Sequence, residues 1–281
     1  MVENAVAALV GLTDQTKANN LTVQLQEALI AFEAKAYQGI PADAILMTLG
    51  FEEGKGTTVA TAGNKKWTAV LTAGPKTIFP DTDVPTFVDG VKGKALHFTK
   101  GSHLEISGVT AKDFELSKMS IATWIKLDAA RTNNFICSFN WWNTVKASIQ
   151  EAGKPFVTIK TTTSCVDMDN EHDASVTPET GWTHVAFVWD GTKGTMDIYV
   201  NGELTKAWDK GDALKGNLAF PDKIQPFIIG QIAPNAELTD SENDWSWCGT
   251  NETWGSLYGS LDEFSIYNIA LTAGQVAKLA K

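Results

Sequence analysis

The stretch "HVAFVWDGTKGTMDIYVNGE", residues 184–203, decides the class of fold. Its second half alternates, with Met196, Ile198 and Val200 on one parity and Asp197 and Tyr199 on the other, as a strand with one buried face requires. Asn201-Gly202 follows, a dipeptide that tolerates positive φ at both central positions of a type I′ turn and so joins two antiparallel strands. The first half is apolar on both parities, as in a strand covered on both faces, and ends in the turn pair Asp190-Gly191.

Outward from this hairpin, "SIATWIK" (120–126), "PFVTIKTTT" (155–163), "PFIIG" (226–230) and "GSLDEFSIY" (259–267) are further strands. Many short strands separated by turns, with no helices between them, predict a β-sandwich rather than an α/β sheet. The first 42 residues differ and form a helical segment. "NNLTVQLQEALIAFEAKAYQG" offers Asn20 as N-cap, then Leu21, Leu25, Ala28, Leu29 and Phe32 at helical spacing, then Gly39 and Pro41 as stop signals. Such a stripe needs a partner, so the helix is expected to pack on the β domain of residues 43–281 or on a short helix before it.

The 281 residues carry a formal charge of −10, and Arg131 is the sole arginine. Nucleic acid requires clustered cations, and strongly anionic sugars are usually gripped by guanidinium groups, so no nucleic-acid partner is expected and a neutral ligand, or none, fits better than an anionic sugar. No apolar run approaches the ~20 residues needed to span a bilayer, and "NAVAALVGL" (4–12) lacks the basic leader of a signal peptide. Cys137, Cys165 and Cys248 match no zinc spacing and are expected to be buried free thiols.

Six segments together resemble the laminin-G-like, concanavalin A-like jelly roll of bacterial proteins. They are "FEEGKGTTV" (51–59), "DGVKGKALHF" (89–98), "LSKMSIATWIKL" (116–127), "GWTHVAFVWDGTKGTMDIYVNGEL" (181–204), "FIIG" (227–230) and "GSLDEFSIYNIALTAGQVAKL" (259–279). The resemblance implies an all-β sandwich over residues 43–281 and not an activity, because the superfamily includes lectins, adhesion domains and glucanases. The helical leader is similar to those of bacterial surface lipoproteins, which implies a secreted or cell-surface protein, with any signal or lipid anchor lying upstream.

Glucanases of this fold carry a Glu-x-Asp-x-x-Glu pattern, because retaining hydrolysis needs carboxylates about 5 Å apart. Glu171 and Asp173 begin it, but Val176 stands where the second glutamate belongs; Glu242 and Asp244 begin it again, but Trp247 stands there. No enzyme activity is therefore expected. The spaced acids Asp167, Asp169, Glu171 and Asp173 fail the EF-hand pattern, since His172 and Pro178 occupy its glycine and glutamate positions, and a solvated acidic loop is expected. His97, His103, His172 and His184 are scattered, and His184, in the covered strand, is expected to be hydrogen-bonded structurally. Asp262 shares the parity of Phe264 and Ile266, so it must be satisfied by backbone N–H groups or a cation. The family resemblance implies one structural calcium ion there, with oxygens from around Glu52 and the turn to Asn64.

Tryptophans mark the candidate ligand surface. "DSENDWSWCGTNETW" (240–254) holds Trp245, Trp247 and Trp254 among Asp244 and Asn251, and "NWWN" (140–143) holds Trp141 and Trp142 beside Asn143. Aromatic faces flanked by amides and carboxylates suit a neutral oligosaccharide or polysaccharide, whose rings stack while its hydroxyls are oriented. The alternative is that these indoles seal loops against the sandwich. A carbohydrate-binding, lectin-like domain is thus expected. The alternatives are a protein-binding adhesion module and a divergent glycoside hydrolase with Glu263 as its second carboxylate.

Overall fold

The computed structural model of the chain describes residues 15–35, 39–238 and 256–281. Sixteen strands are present among them. The first six are β1 (Ile45–Leu49), β2 (Thr58–Ala60), β3 (Thr68–Thr72), β4 (Thr86–Asp89), β5 (Lys94–Phe98) and β6 (His103–Ile106). The next five are β7 (Lys118–Leu127), β8 (Asn133–Phe139), β9 (Val145–Gln150), β10 (Lys154–Lys160) and β11 (Cys165–Asp169). The last are β12 (Thr183–Asp190), β13 (Thr195–Val200), β14 (Glu203–Asp209), β15 (Phe227–Ile229) and β16 (Gly259–Tyr267). They form two antiparallel sheets: a first in the order β14-β13-β12-β7-β16-β5-β4, with β1 also paired to β16, and a second in the order β11-β10-β9-β8-β15-β6-β3-β2. The expected β-sandwich is the observed one.

The hairpin β13–β14 turns at Asn201 and Gly202, both with positive φ (52° and 82°), as the type I′ turn requires. In β12 every residue is buried. Val185, Phe187 and Trp189 enter the core between the sheets, where they meet Met196 and Ile198, while Ala186 and Val188 face outward against Tyr199, Leu271 and Val276. Full burial of each large apolar side chain contributes about 1.5–3 kcal/mol. The outward cover is the closing helix. Its capping box is legible as Thr272-x-x-Gln275: the Thr272 hydroxyl accepts the Gln275 N–H at 3.3 Å, and the Gln275 amide accepts the Thr272 N–H at 2.9 Å.

Three α-helices are described: α1 (Gln15–Lys35), α2 (Asn235–Leu238) and α3 (Ala273–Leu279). The leader helix α1 rests on α3. One expectation fails here. Asn20 is not the N-cap, since the helix already runs through Gln15, and the good helix formers Gln15, Lys17 and Ala18 carry it past the Asn pair. Along the apolar stripe, Leu21, Leu25 and Ala28 are half-buried and Leu29 is 53% exposed. Among the described residues, no helix is long and apolar enough to cross a membrane.

Candidate functional site

Strands β8 to β11 carry apolar side chains inward and a polar set outward. In β9, Val145, Ala147 and Ile149 belong to the core, so Lys146, Ser148 and Gln150 face out; in β10, Val157 and Ile159 point in, and Phe156 and Thr158 out. On this outer face lies a cavity of about 330 Å³, lined among others by Asn133, Trp142, Lys146, Gln150, Phe156 and Asp167. Lys146 is almost fully buried. Its Nζ lies 4.5 Å from the ring centres of both Trp142 and Phe156 and 5.9 Å from that of Phe135. Burial holds its ammonium down to about 8, against the upward pull of Asp167 and Cys165. With Lys154 and Glu151 also at the rim, two cations face two carboxylates, so the lining has no net charge.

Trp141 and Trp142 sit in a short 3₁₀ turn, Trp141–Asn143, entered through Asn140 in the left-handed region. Asn140 holds that conformation with its own amide, which accepts the Gln225 N–H at 2.8 Å and donates to the Thr144 hydroxyl at 3.2 Å. Both indoles are half-buried and pack on Phe135, Ile232 and Ala233, so they seal the loop as well as offer a surface. Of the three expected site residues here, Trp142 lines the cavity, whereas Trp141 and the exposed Asn143 do not. Asp244, Trp245, Trp247, Asn251 and Trp254 lie outside the described residues, as does Cys248.

Sequence reasoning missed Lys146, Asn133, Gln150, Phe156 and Asp167. The spaced acids are not simply a solvated loop: Asp167 and Asp169 belong to edge strand β11, and their two-residue spacing is that of a strand face. Asp167 accepts the Thr158 hydroxyl, and Asp169 pairs with Lys154 at 2.8 Å. The signal was in "VKASIQ", whose alternation places Lys146 and Gln150 together. Cys137 is buried as expected, its thiol pushed up to about 12 by burial, but Cys165 on β11 is exposed.

A second polar corner gathers Glu52, Asp262 and Glu263. Strand β16 bulges between Asp262 and Ser265, with Glu263 left-handed at φ 51°. The bulge defeats the parity argument: Leu261, not Asp262, joins Phe264 and Ile266 in the core, and Asp262 pairs with the outward Trp124. Asp262 is nonetheless wholly buried, because the β4–β5 turn folds over it. Its Oδ2 accepts the N–H groups of Val91 and Lys92 at 2.7 and 2.9 Å, while its buried Oδ1 has no partner. A Cβ on Gly90 would fall 2.5 Å from Oδ2, and one on Gly93, itself at φ 63°, would strike the Glu52 carboxylate. The turn can lie this close only because both are glycine. Burial pushes the Asp262 carboxyl up, and the neighbouring Glu52 charge adds to this. The Glu52 carboxylate accepts the Lys94 N–H at 3.3 Å, whereas Asn64 donates to the Asp43 carbonyl and takes no part in this corner. The orphaned Oδ1 suits a hard cation, but among the described residues no three His, Cys, Asp or Glu side chains converge to hold one. Backbone carbonyls would have to complete a calcium shell of six to eight oxygens.

Residues 98–277 match the model of the concanavalin A-like lectin/glucanases superfamily in its laminin G type, and the chain belongs to that family. No curated protein matches the sequence. Domain 4 of AbnA, an extracellular GH43 arabinanase of Geobacillus stearothermophilus solved with arabinotriose, is similar in structure (TM-score 0.57, 19% identity, 84% of this chain and 98% of that one). The binding domain of Paraclostridial Mosquitocidal Protein 1 gives a TM-score of 0.58 at 17% identity, over 85% of this chain and 52% of that one. Botulinum neurotoxin type C, which depends on two ganglioside molecules to enter cells, gives 0.55 at 12% identity, over 85% and 51%. The chain thus spans about half the length of the two toxin chains it resembles.

Proposed function

We propose that this chain is a non-catalytic carbohydrate-binding domain of an exported bacterial protein, and that the cavity on the outer face of β8–β11 takes a neutral glycan. The observation that carries this reading is the lining itself. The rings of Trp142 and Phe156 offer apolar faces, Asn133 and Gln150 offer amide donors and acceptors, and paired charges cancel. A sugar ring presents an apolar face and hydroxyls in oriented directions, and this set answers both. The arabinotriose-bound AbnA domain, similar over nearly its whole length, supports the substrate class.

A glycan array followed by calorimetry on its hits tests the proposal. Trp142→Ala is expected to weaken binding by about tenfold or more, the loss expected when a stacking contact goes. Added salt is expected to change little, because stacking and neutral hydrogen bonds are not screened as charges are. Binding to no glycan moves the adhesion-module reading ahead, and release of reducing sugar from β-glucans makes the domain a glycosidase.

Asp262 and Glu52 are proposed to hold one structural calcium ion, on the strength of the unpartnered Asp262 Oδ1. An ion bound only by the folded state raises the melting temperature by linkage. Asp262→Asn should blunt that response. Identical melting of metal-stripped protein with and without calcium means that backbone N–H groups alone hold the corner.

A further inference from the structure

The outer face of the first sheet carries a separate cavity of about 200 Å³, bounded by β1, β7, β12, β16 and the β4–β5 turn and closed on one side by Leu279 of α3. At ~30 Å³ of liquid per water it holds about seven waters, or one small ring. His184 lines it and is only 2% exposed, and its Nδ1 has no hydrogen-bond partner. Trp124, paired with His184 across β7 and β12 and in edge contact with its ring at 5.4 Å, also lines the cavity, and its buried Nε1–H has no partner either. Glu263 reaches the same space from a left-handed backbone that non-glycine residues rarely adopt, facing Lys92 at 3.8 Å. Two orphaned buried polar atoms and a strained residue around one cavity are features that collect at binding sites.

We propose that this cavity is a second ligand site, taking one small neutral polyhydroxyl unit such as a single sugar ring. The lining selects that class by exclusion. The Trp124 N–H can only donate, and the Lys92 ammonium also donates, so a metal ion is opposed. The Glu263 carboxylate opposes an anion, and Lys92 opposes an organic cation. Hydroxyls satisfy all of them, accepting from Trp124 and Lys92 while donating to Glu263 and to the imidazole. Burial holds His184 down to about 4, so the imidazole is neutral near pH 7 and can accept at Nδ1. The Trp124 ring and Leu279 supply the apolar wall that a sugar face needs. The site stands apart from the glycan cavity on the second sheet and does not depend on it.

The test follows the Trp124 indole N–H in the ¹⁵N-labelled full chain, assigned by its disappearance in Trp124→Phe. D-glucose, D-galactose, L-arabinose and glycerol are the probes, each titrated to about 100 mM, a range that captures millimolar affinity. At least one is expected to shift the signal saturably, equally well in Trp142→Ala, and with affinity reduced about tenfold in Glu263→Gln or His184→Asn, whichever melts cooperatively. Three results overturn the proposal: no saturable shift with any probe, leaving a water-filled cavity; a shift lost in Trp142→Ala, which reports the other sheet; or a shift indifferent to both lining variants.

Discussion

The outer faces of the two sheets each bury a side chain that is charged in water near its ordinary pKa, and they accommodate it differently. On the second sheet Lys146 lies among the rings of Trp142, Phe156 and Phe135 with Asp167 near, so the ammonium keeps partial compensation for its lost water. On the first sheet His184 is enclosed beside Trp124 with Nδ1 unpartnered, and the charge that acts on it is the like-signed Lys92. A cation can be held by aromatic faces at about 0.5–2 kcal/mol each, but a neutral imidazole nitrogen needs a directed hydrogen bond. The second sheet's face therefore holds a cation among rings, and the first sheet's face leaves directional polarity unspent.

The largest effect separates these faces from the core between them. Trp189 is fully buried and its indole N–H donates to the Leu214 carbonyl at 3.0 Å. Trp189→Ala is expected to cost about 3–5 kcal/mol in denaturant unfolding, as for other large-to-small core changes. Trp142→Ala, half-buried on the outer face, should cost clearly less while removing glycan binding. Equal destabilisation by the two would place Trp142 among the sealing residues and take it out of the site.

The next two effects have the same sign but separate pH windows. Lys146 falls from 10.5 in the unfolded chain to about 8 in the fold, so between those values the unfolded state binds more protons. Stability should then rise as pH increases from 8 towards 10.5, by roughly 3 kcal/mol at 1.36 kcal/mol per pH unit. Lys146→Met should abolish this rise relative to the parent protein. His184 falls from 6.5 to about 4, and again the unfolded state holds the extra proton. Here the stability is present above pH 6.5 and is lost as pH drops to 4, also by roughly 3 kcal/mol. His184→Gln should flatten that acid limb and leave the alkaline one untouched. If the two limbs do not separate by variant, the two faces are not independent.

The legible and illegible parts of the molecule divide along the same line. Period-two patterning exposed the core-facing half of β13, the run apolar on both parities announced β12 as a strand covered on both faces, and the Asn201-Gly202 signal fixed a turn, because each rests on local chemistry. Outward-facing positions carry no such signal. In "VKASIQ" the inward Val, Ala and Ile announce a strand, but nothing in Lys146 or Gln150 says that their side is enclosed. Asp262 went astray for a different reason: a bulge at Glu263 shifts parity by one residue, and a bulge is set by tertiary fit. The orphaned Nδ1 of His184 was beyond sequence altogether, since hydrogen-bond satisfaction depends on what packs above a strand.

The smallest effect tests how far α1 belongs to the first sheet's outer cover. That cover is α3, whose Val276 packs on Ala186, Val188 and Tyr199, and α1 rests in turn on α3. Leu29 is 53% exposed, so Leu29→Ala removes little area from contact, and alanine is at least as good a helix former as leucine. The change should cost less than about 1 kcal/mol, within the range of surface substitutions. Val276→Ala, wholly buried in the cover, gives the scale against which to read it and should cost more. A Leu29→Ala loss as large as that of Val276→Ala would mean that α1 is a structural layer of the sandwich. It would also extend the outer cover of the first sheet, and with it the enclosure of His184, into the leader segment.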